Sequence, residues 1–245
     1  MSFNNFNFGT KANNLDFLQK HLETGKVCSS YIFNAKAWEN KKDLIYSEIV
    51  NKYPNKLIIV RSSAESEDSQ ESSFAGKYLS LLEVSSNIKD DVIKAINQVI
   101  NSYGENISNK DQVLIQPFIS NISVSGVVFS HDLTTGSPYY VINYDDKSGR
   151  TDTITSGSDD ESRTLTIYRK EVNKISSSRF FSLLKTVKEI EEITNSNGVD
   201  IEFAITKEEE VYIFQVRPIA VSKNWNRSIS KEVDNAISQI KIFLD

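Results

Sequence analysis

The sequence predicts an α+β fold built on antiparallel sheet, and three observations predict it. Short β-like runs follow one another through residues 112–170 with no helix between them. Amphipathic stretches fall before, between and after groups of strands, not after every strand as an alternating βαβ chain requires. The closing runs 199–205 and 211–217 are separated by a short polar loop near 207–210, which reads as a hairpin.

Taken in order, residues 11–23 read as a short helix, with Leu15, Leu18 and Leu22 at helical spacing. Residues 36–52 form a second candidate helix. "KLIIVRSS" (56–63) is an apolar β run broken by Arg61, "EDSQESSFAG" (67–76) is a polar loop of small residues, and "KYLSLLEV" (77–84) returns to strand. In 87–104, Ile88, Val92, Ile96, Val99 and Tyr103 make one helical stripe, and Gly104 is a natural stop. Strands follow at 112–119, 124–132, 139–146 and 163–170. A helix at 180–198 ends near Gly198. Residues 223–230 read as a linker, and 230–244 as a last helix carrying Val233, Ile237, Ile240 and Leu244.

The 245 residues carry a net charge of -5 and no basic block, so electrostatics gives no reason to expect a nucleic-acid partner. No apolar run approaches a membrane span, and the N-terminus lacks the basic and apolar regions of a signal peptide. The expected location is the cytoplasm. The single cysteine, Cys28, cannot form an internal disulfide.

The closing hairpin concentrates the chemistry. If partner numbers sum to 417, Glu202 faces Gln215 and Asp200 faces Arg217, all four on one sheet face. Ile201, Phe203, Phe214 and Val216 then point to the other, into a core. Carboxylate and amide oxygens suit Mg²⁺, and a guanidinium suits a phosphate held by that metal. A cross-strand ion pair on a solvated face is the plainer reading of the same residues.

Further motifs decide between the two. Val60, Arg61, Ser62, Ser63, Ala64, Glu67, Asp68, Ser73, Phe74, Ala75 and Gly76 stand in one ungapped run. That run resembles the signature of the nucleotide-binding domain of the pyruvate phosphate dikinase and phosphoenolpyruvate synthase family. "GTKANNL" (9–15) looks like its Gly-Gly-Lys element, with Thr10 in place of one glycine. "SGVVFSHDLTTG" (125–136) and "DIEFAI…YIFQVRPI" (200–219) are similar to two later elements. The resemblance implies an ATP-grasp fold, with two lobes holding ATP between them. The expected division is an N-terminal lobe at 1–110, a second lobe at 111–222, and a linker and helix at 223–245 leading to further domains.

It also implies site residues. Lys11, Arg61 and Arg217 would carry charge in phosphoryl transfer, and Glu202 and Gln215 would hold Mg²⁺. Asp200 would orient Arg217 or bind a second metal through water. Ser73, Ala75 and Gly76 would cradle phosphate through backbone N–H groups. Gln116 and Phe118, in the strand-to-hinge segment, would meet the adenine, although Phe118 reads equally well as core. Arg61, interrupting an apolar strand, needs an anion, and Glu67 or Asp68 is the nearby alternative to a phosphate.

Two features depart from the family pattern. Leu133 stands where it has a proline, and 143–157 replaces its Gly-Leu-Gly-Glu-like loop. The variant loop looks more like a branch in capsule and surface-polysaccharide pathways that includes the dikinase-like L-glutamine kinase. Family members pass phosphate through a histidine on a separate domain. His21 and His131 are the only histidines and neither sits in such a motif. The expected partners are therefore a phosphohistidine domain, an acceptor-binding domain and a small-molecule acceptor.

Overall fold

The computed structural model describes residues 6–65, 79–149, 162–196, 198–219 and 228–244. The elements run α1 (Lys11–His21), β1 (Lys26–Val27), β2 (Tyr31–Asn34), α2 (Trp38–Lys52), β3 (Leu57–Ser63), β4 (Ser80–Ser85) and α3 (Lys89–Asn101). They continue with β5 (Gln112–Pro117), β6 (Ile122–Phe129), β7 (Tyr139–Asp145), β8 (Arg163–Tyr168), α4 (Ser178–Thr194), β9 (Val199–Thr206), β10 (Val211–Pro218) and α5 (Ile229–Leu244). Short 3₁₀ turns precede α2 and follow β8.

Two sheets result. The larger has the order β1-β10-β9-β6-β7-β8 and the smaller β2-β5-β3-β4. All pairs are antiparallel except β1 with β10. Most apolar positions read from the sequence are buried, but Ile88, ahead of α3, is 50% exposed and Ile240 of α5 is 57% exposed. Leu15 and Leu18 of α1 and Phe180, Leu183, Leu184, Val187 and Ile190 of α4 share one core with Ile201, Phe203 and Val216 of the large sheet. Ile45 and Ile49 of α2 and Val92, Ile96 and Val99 of α3 share a second core with Ile58, Val60 and Val113 of the small sheet.

Two local choices fix the chain near the junction. Thr10 caps α1, its hydroxyl accepting the Asn13 N–H at 3.4 Å and donating to Gln112 Oε1 at 2.7 Å. Gly126 is needed in β6 because a Cβ there would lie 2.1 Å from the Asn143 carbonyl oxygen of β7.

The sheets do not divide at residue 110. β5 lies inside the small sheet, while α1 and β1 join the large one. The chain therefore crosses between the sheets twice, once between β1 and β2 and once between β5 and β6. The two-residue β1 and four-residue β2 were not expected from sequence, since neither run is long enough to show a period.

Candidate active site

The site begins with the closing hairpin. Gln215 pairs with Glu202, Val216 with Ile201 and Arg217 with Asp200, as the sum of 417 requires. Beyond Gln215 the register changes: Ile213 pairs with Phe203 and Tyr212 with Ala204, leaving Phe214 as an extra residue. This β-bulge corrects the expectation that Phe214 joins Ile201 and Val216. Phe214 instead packs with Cys28, Ile122 and Ala204, in a small cluster that Ile119 and Tyr212 adjoin. A bulge puts two successive side chains on one face, so Phe214 and Gln215 both look toward the small sheet.

Arg61, on β3, crosses from that small sheet. Its Nη1 donates to the Phe214 carbonyl at 3.1 Å and its Nη2 to Glu202 Oε2 at 3.2 Å. Its guanidinium carbon lies 5.9 Å from the centre of the Phe214 ring. The anion that this interrupted strand needs is therefore Glu202, on the other sheet. Glu67 and Asp68 lie outside the described residues, as do Ser73, Ala75 and Gly76 of the expected phosphate loop and residues 150–157 of the variant loop.

Lys11 is the first residue of α1 and only 4% exposed, unlike an ordinary surface lysine. The start of α1 is tied to both sheets. The Ala12 N–H donates to Ser63 Oγ at 2.9 Å, and Asn14 Nδ2 donates to the Val216 carbonyl at 3.0 Å. Ser63, the second serine of "RSS", is a contributor that sequence reasoning did not single out.

Lys11, Arg61 and Arg217 all act on Glu202. Burial pushes its carboxyl up, but these three cations outweigh burial and hold it below its ordinary value. Asp200 behaves in the opposite sense. Burial, with help from Glu202, raises it to about 6 against the pull of Arg217. Arg217 Nη2 meets Asp200 Oδ2 at 2.8 Å, and Asp200 Oδ1 is buried with no hydrogen-bond partner.

That orphaned oxygen tests the fit to a metal. A buried carboxylate oxygen without a partner is costly unless something positive meets it. Mg²⁺ takes one or two carboxylates and keeps several waters. Among the described residues no three His, Cys, Asp or Glu side chains converge. The available donors are thus Asp200, Glu202 and the amide of Gln215, which is 2% exposed. Two carboxylates and an amide fit a cation that arrives with phosphate. Three cationic side chains against two carboxylates leave the cluster net positive, which favours a polyanion.

Gln116 and Phe118, expected at a hinge, lie in and just after β5 of the small sheet. Gln116 is buried, and its amide donates to Ser30 Oγ at 3.0 Å and to the Cys28 carbonyl at 3.4 Å. Phe118 is half-buried and belongs to none of the cores; its N–H is committed to the Leu57 carbonyl at 2.9 Å. An open pocket of about 480 Å³ lies between α1 and the end of β5, lined in part by Leu18, Gln19 and Leu22 with Val27, Cys28, Pro117, Ile119 and Tyr212; Gln116 and Phe118 do not line it. It shares Cys28, Ile119 and Tyr212 with the Phe214 cluster. Its size suits a small organic ligand.

Comparison with solved structures finds the same fold. The chain superposes on D-cycloserine synthetase DcsG with a TM-score of 0.51 at 7% identity, over 94% of this chain and 69% of that one. It superposes on the L-amino acid ligase from Bacillus licheniformis with a TM-score of 0.51 at 9% identity, over 86% of this chain and 42% of that one. The fold is the ATP-grasp fold. At such identity the likeness establishes the ATP-grasp architecture alone. A family model described as pyruvate phosphate dikinase, AMP/ATP-binding domain matches residues 34–147. That segment contains Arg61, Gln116 and Phe118. Lys11 and the closing hairpin lie outside it and are brought to it by the fold. No curated protein matches the sequence. Together, the family match and the ATP-grasp fold support ATP binding.

Proposed function

We propose that this chain is the ATP-binding part of a dikinase-type phosphotransferase. In this reading a histidine on a separate phosphohistidine domain would attack the β-phosphorus of ATP and displace AMP, and water would take the γ-phosphoryl group as phosphate. The β-phosphoryl group left on the histidine would then pass to a small molecule held by an acceptor-binding domain. The observation that carries the reading is the convergence of Lys11 from α1, Arg61 from β3, and Asp200, Glu202, Gln215 and Arg217 from the hairpin on one buried point between the sheets.

The chemistry follows from the charges. Phosphoryl transfer asks the protein mainly for positioning and for charge opposite the phosphate oxygens. Lys11 supplies a fixed cation at the start of a helix, the end whose dipole also favours an anion. Arg61 is already desolvated and forked toward an anion; a polyphosphate competes with Glu202 for it and frees the carboxylate. Glu202, Gln215 and the unpartnered oxygen of Asp200 would hold Mg²⁺, which when bound neutralises phosphate oxygens. Arg217, oriented by Asp200, would present its guanidinium to the group in transfer. Gln116 and Phe118 would meet the adenine, and Ser73, Ala75 and Gly76 remain the proposed phosphate cradle.

The acceptor is the finer part of the proposal. L-glutamine is favoured by the likeness of the 143–157 segment to the capsule-pathway branch, and pyruvate is the rival. Mixing the chain with a histidine domain of this family, Mg²⁺ and ATP, and then with each acceptor, tests both levels. AMP formation that requires the histidine domain supports the phosphotransferase. Binding of ATP without any AMP would instead indicate a non-catalytic nucleotide-binding module.

A further inference from the structure

A second ion pair, buried on its carboxylate side, lies outside this cluster. Arg169, in the turn after β8, meets Glu191 of α4 in a bidentate pair, with Nη1 to Oε1 at 3.0 Å and Nη2 to Oε2 at 2.9 Å. Glu191 is 8% exposed. Arg169 Nη1 also donates to the Ser130 carbonyl at 2.7 Å, and its backbone N–H donates to the Pro138 carbonyl at 3.0 Å. The Tyr140 ring centre lies 4.5 Å from its guanidinium carbon. One residue thus grips both ends of the β6–β7 connection.

The consequence appears at β9. The Ser130 N–H donates to the Val199 carbonyl at 2.9 Å. In a regular antiparallel pair the Val199 N–H would return to the Ser130 carbonyl. Here it goes to Ser130 Oγ at 2.9 Å, and the carbonyl serves Arg169 instead. The residue after Val199 is Asp200, which pairs with Phe129 in the same register. A slip of one residue would turn Asp200 and Glu202 from the cleft into the core. Buried ion pairs add little net stability, and fixing a register is their best-attested use.

We propose that Arg169, acting through Ser130, is a positioning residue that sets the start of β9 and so the place of Asp200 and Glu202 in the cleft. The metal-dependent half of this inference rests on the proposed ATP and Mg²⁺ site. The exchange half does not.

The test uses Ser130→Ala, Arg169→Met and Arg169→Lys, with amide hydrogen exchange and with ATP calorimetry in Mg²⁺ and in EDTA. Exchange at Val199 to Ile201 should rise about tenfold or more in Ser130→Ala and Arg169→Met, while Phe203 to Ile205 stay protected. The tightening of ATP binding by Mg²⁺ should fall about tenfold in both, with metal-free affinity within about twofold of wild type. Arg169→Lys, which keeps a charge on Glu191 but lacks the fork, should fall between. Folded variants with unchanged exchange and an unchanged Mg²⁺ effect overturn the proposal. If Arg169→Met fails to fold, Ser130→Ala, which keeps the ion pair, decides the matter. If the wild type shows no Mg²⁺ effect, the proposed metal site fails and exchange alone decides the clamp.

Discussion

Arg217 holds one oxygen of Asp200 at 2.8 Å while the other oxygen is buried without a partner. A purely structural ion pair gains nothing from that orphan, whereas a site that awaits a cation does. Arg217→Ala should reduce phosphoryl transfer in the reconstituted enzyme about a hundredfold, the cost of losing one charged donor to a transition state, ~3 kcal/mol. The melting midpoint should fall at pH 7, because Asp200 loses its counter-charge, and should fall less at pH 5, where Asp200 takes a proton. Arg217→Ala combined with Asp200→Asn should recover the midpoint but not the turnover. Recovery of both would make the pair structural.

His131 predicts a pH effect of known sign. Burial, with a smaller contribution from Arg169, lowers it to about 4 in the folded chain. The unfolded imidazole titrates near 6.5, so between about pH 6.5 and 4 the unfolded state binds more protons. The stability that His131 contributes is therefore complete above about pH 6.5 and is lost as pH falls toward 4. Asp200, raised to about 6, contributes in the opposite direction over an overlapping range, so wild type alone is not diagnostic. The difference between wild type and His131→Asn isolates the histidine. That difference should change between pH 7 and 4.5 in urea titrations, and a constant difference would contradict the burial of the ring.

Gly126→Ala should destabilise the large sheet by about 3 kcal/mol or more, since a methyl 2.1 Å from the Asn143 carbonyl oxygen requires β6 and β7 to separate. Urea unfolding measures it directly. A loss below about 1 kcal/mol would mean that the β6–β7 pairing yields easily there.

Much of this was legible in the sequence because strong periodicity reports burial directly. Val92, Ile96 and Val99 of α3 and the alternation of β9 packed as their spacing implied, while Ile88 at the head of that stripe stayed exposed. The hairpin register was legible from Asp200 to Glu202, where two polar residues on each strand must face the same way. It failed at Phe214, because a bulge adds one residue without altering composition, and an aromatic fits either face. The partner of Arg61 was hidden for a different reason. Glu202 lies 141 positions away, on the other sheet, and only the fold brings the two together. Arg169 and Ser130 gave no local signal either, since their bonds depend on where β6 ends. The short β1 shows no period, and its pairing with β10 is set by the chain leaving α1.

The most direct test of the central claim is calorimetry of ATP binding with Mg²⁺ and with EDTA, for wild type, Glu202→Gln and Gln215→Leu. A nucleotide–metal site on the β9–β10 face predicts that Mg²⁺ tightens ATP binding by wild type about tenfold or more, ~1.4 kcal/mol, and that each substitution removes most of this gain. Both variants should keep their weaker, metal-free binding through Lys11 and Arg61. Equal affinity in Mg²⁺ and EDTA for wild type, or a full Mg²⁺ gain in folded Glu202→Gln, would contradict that site.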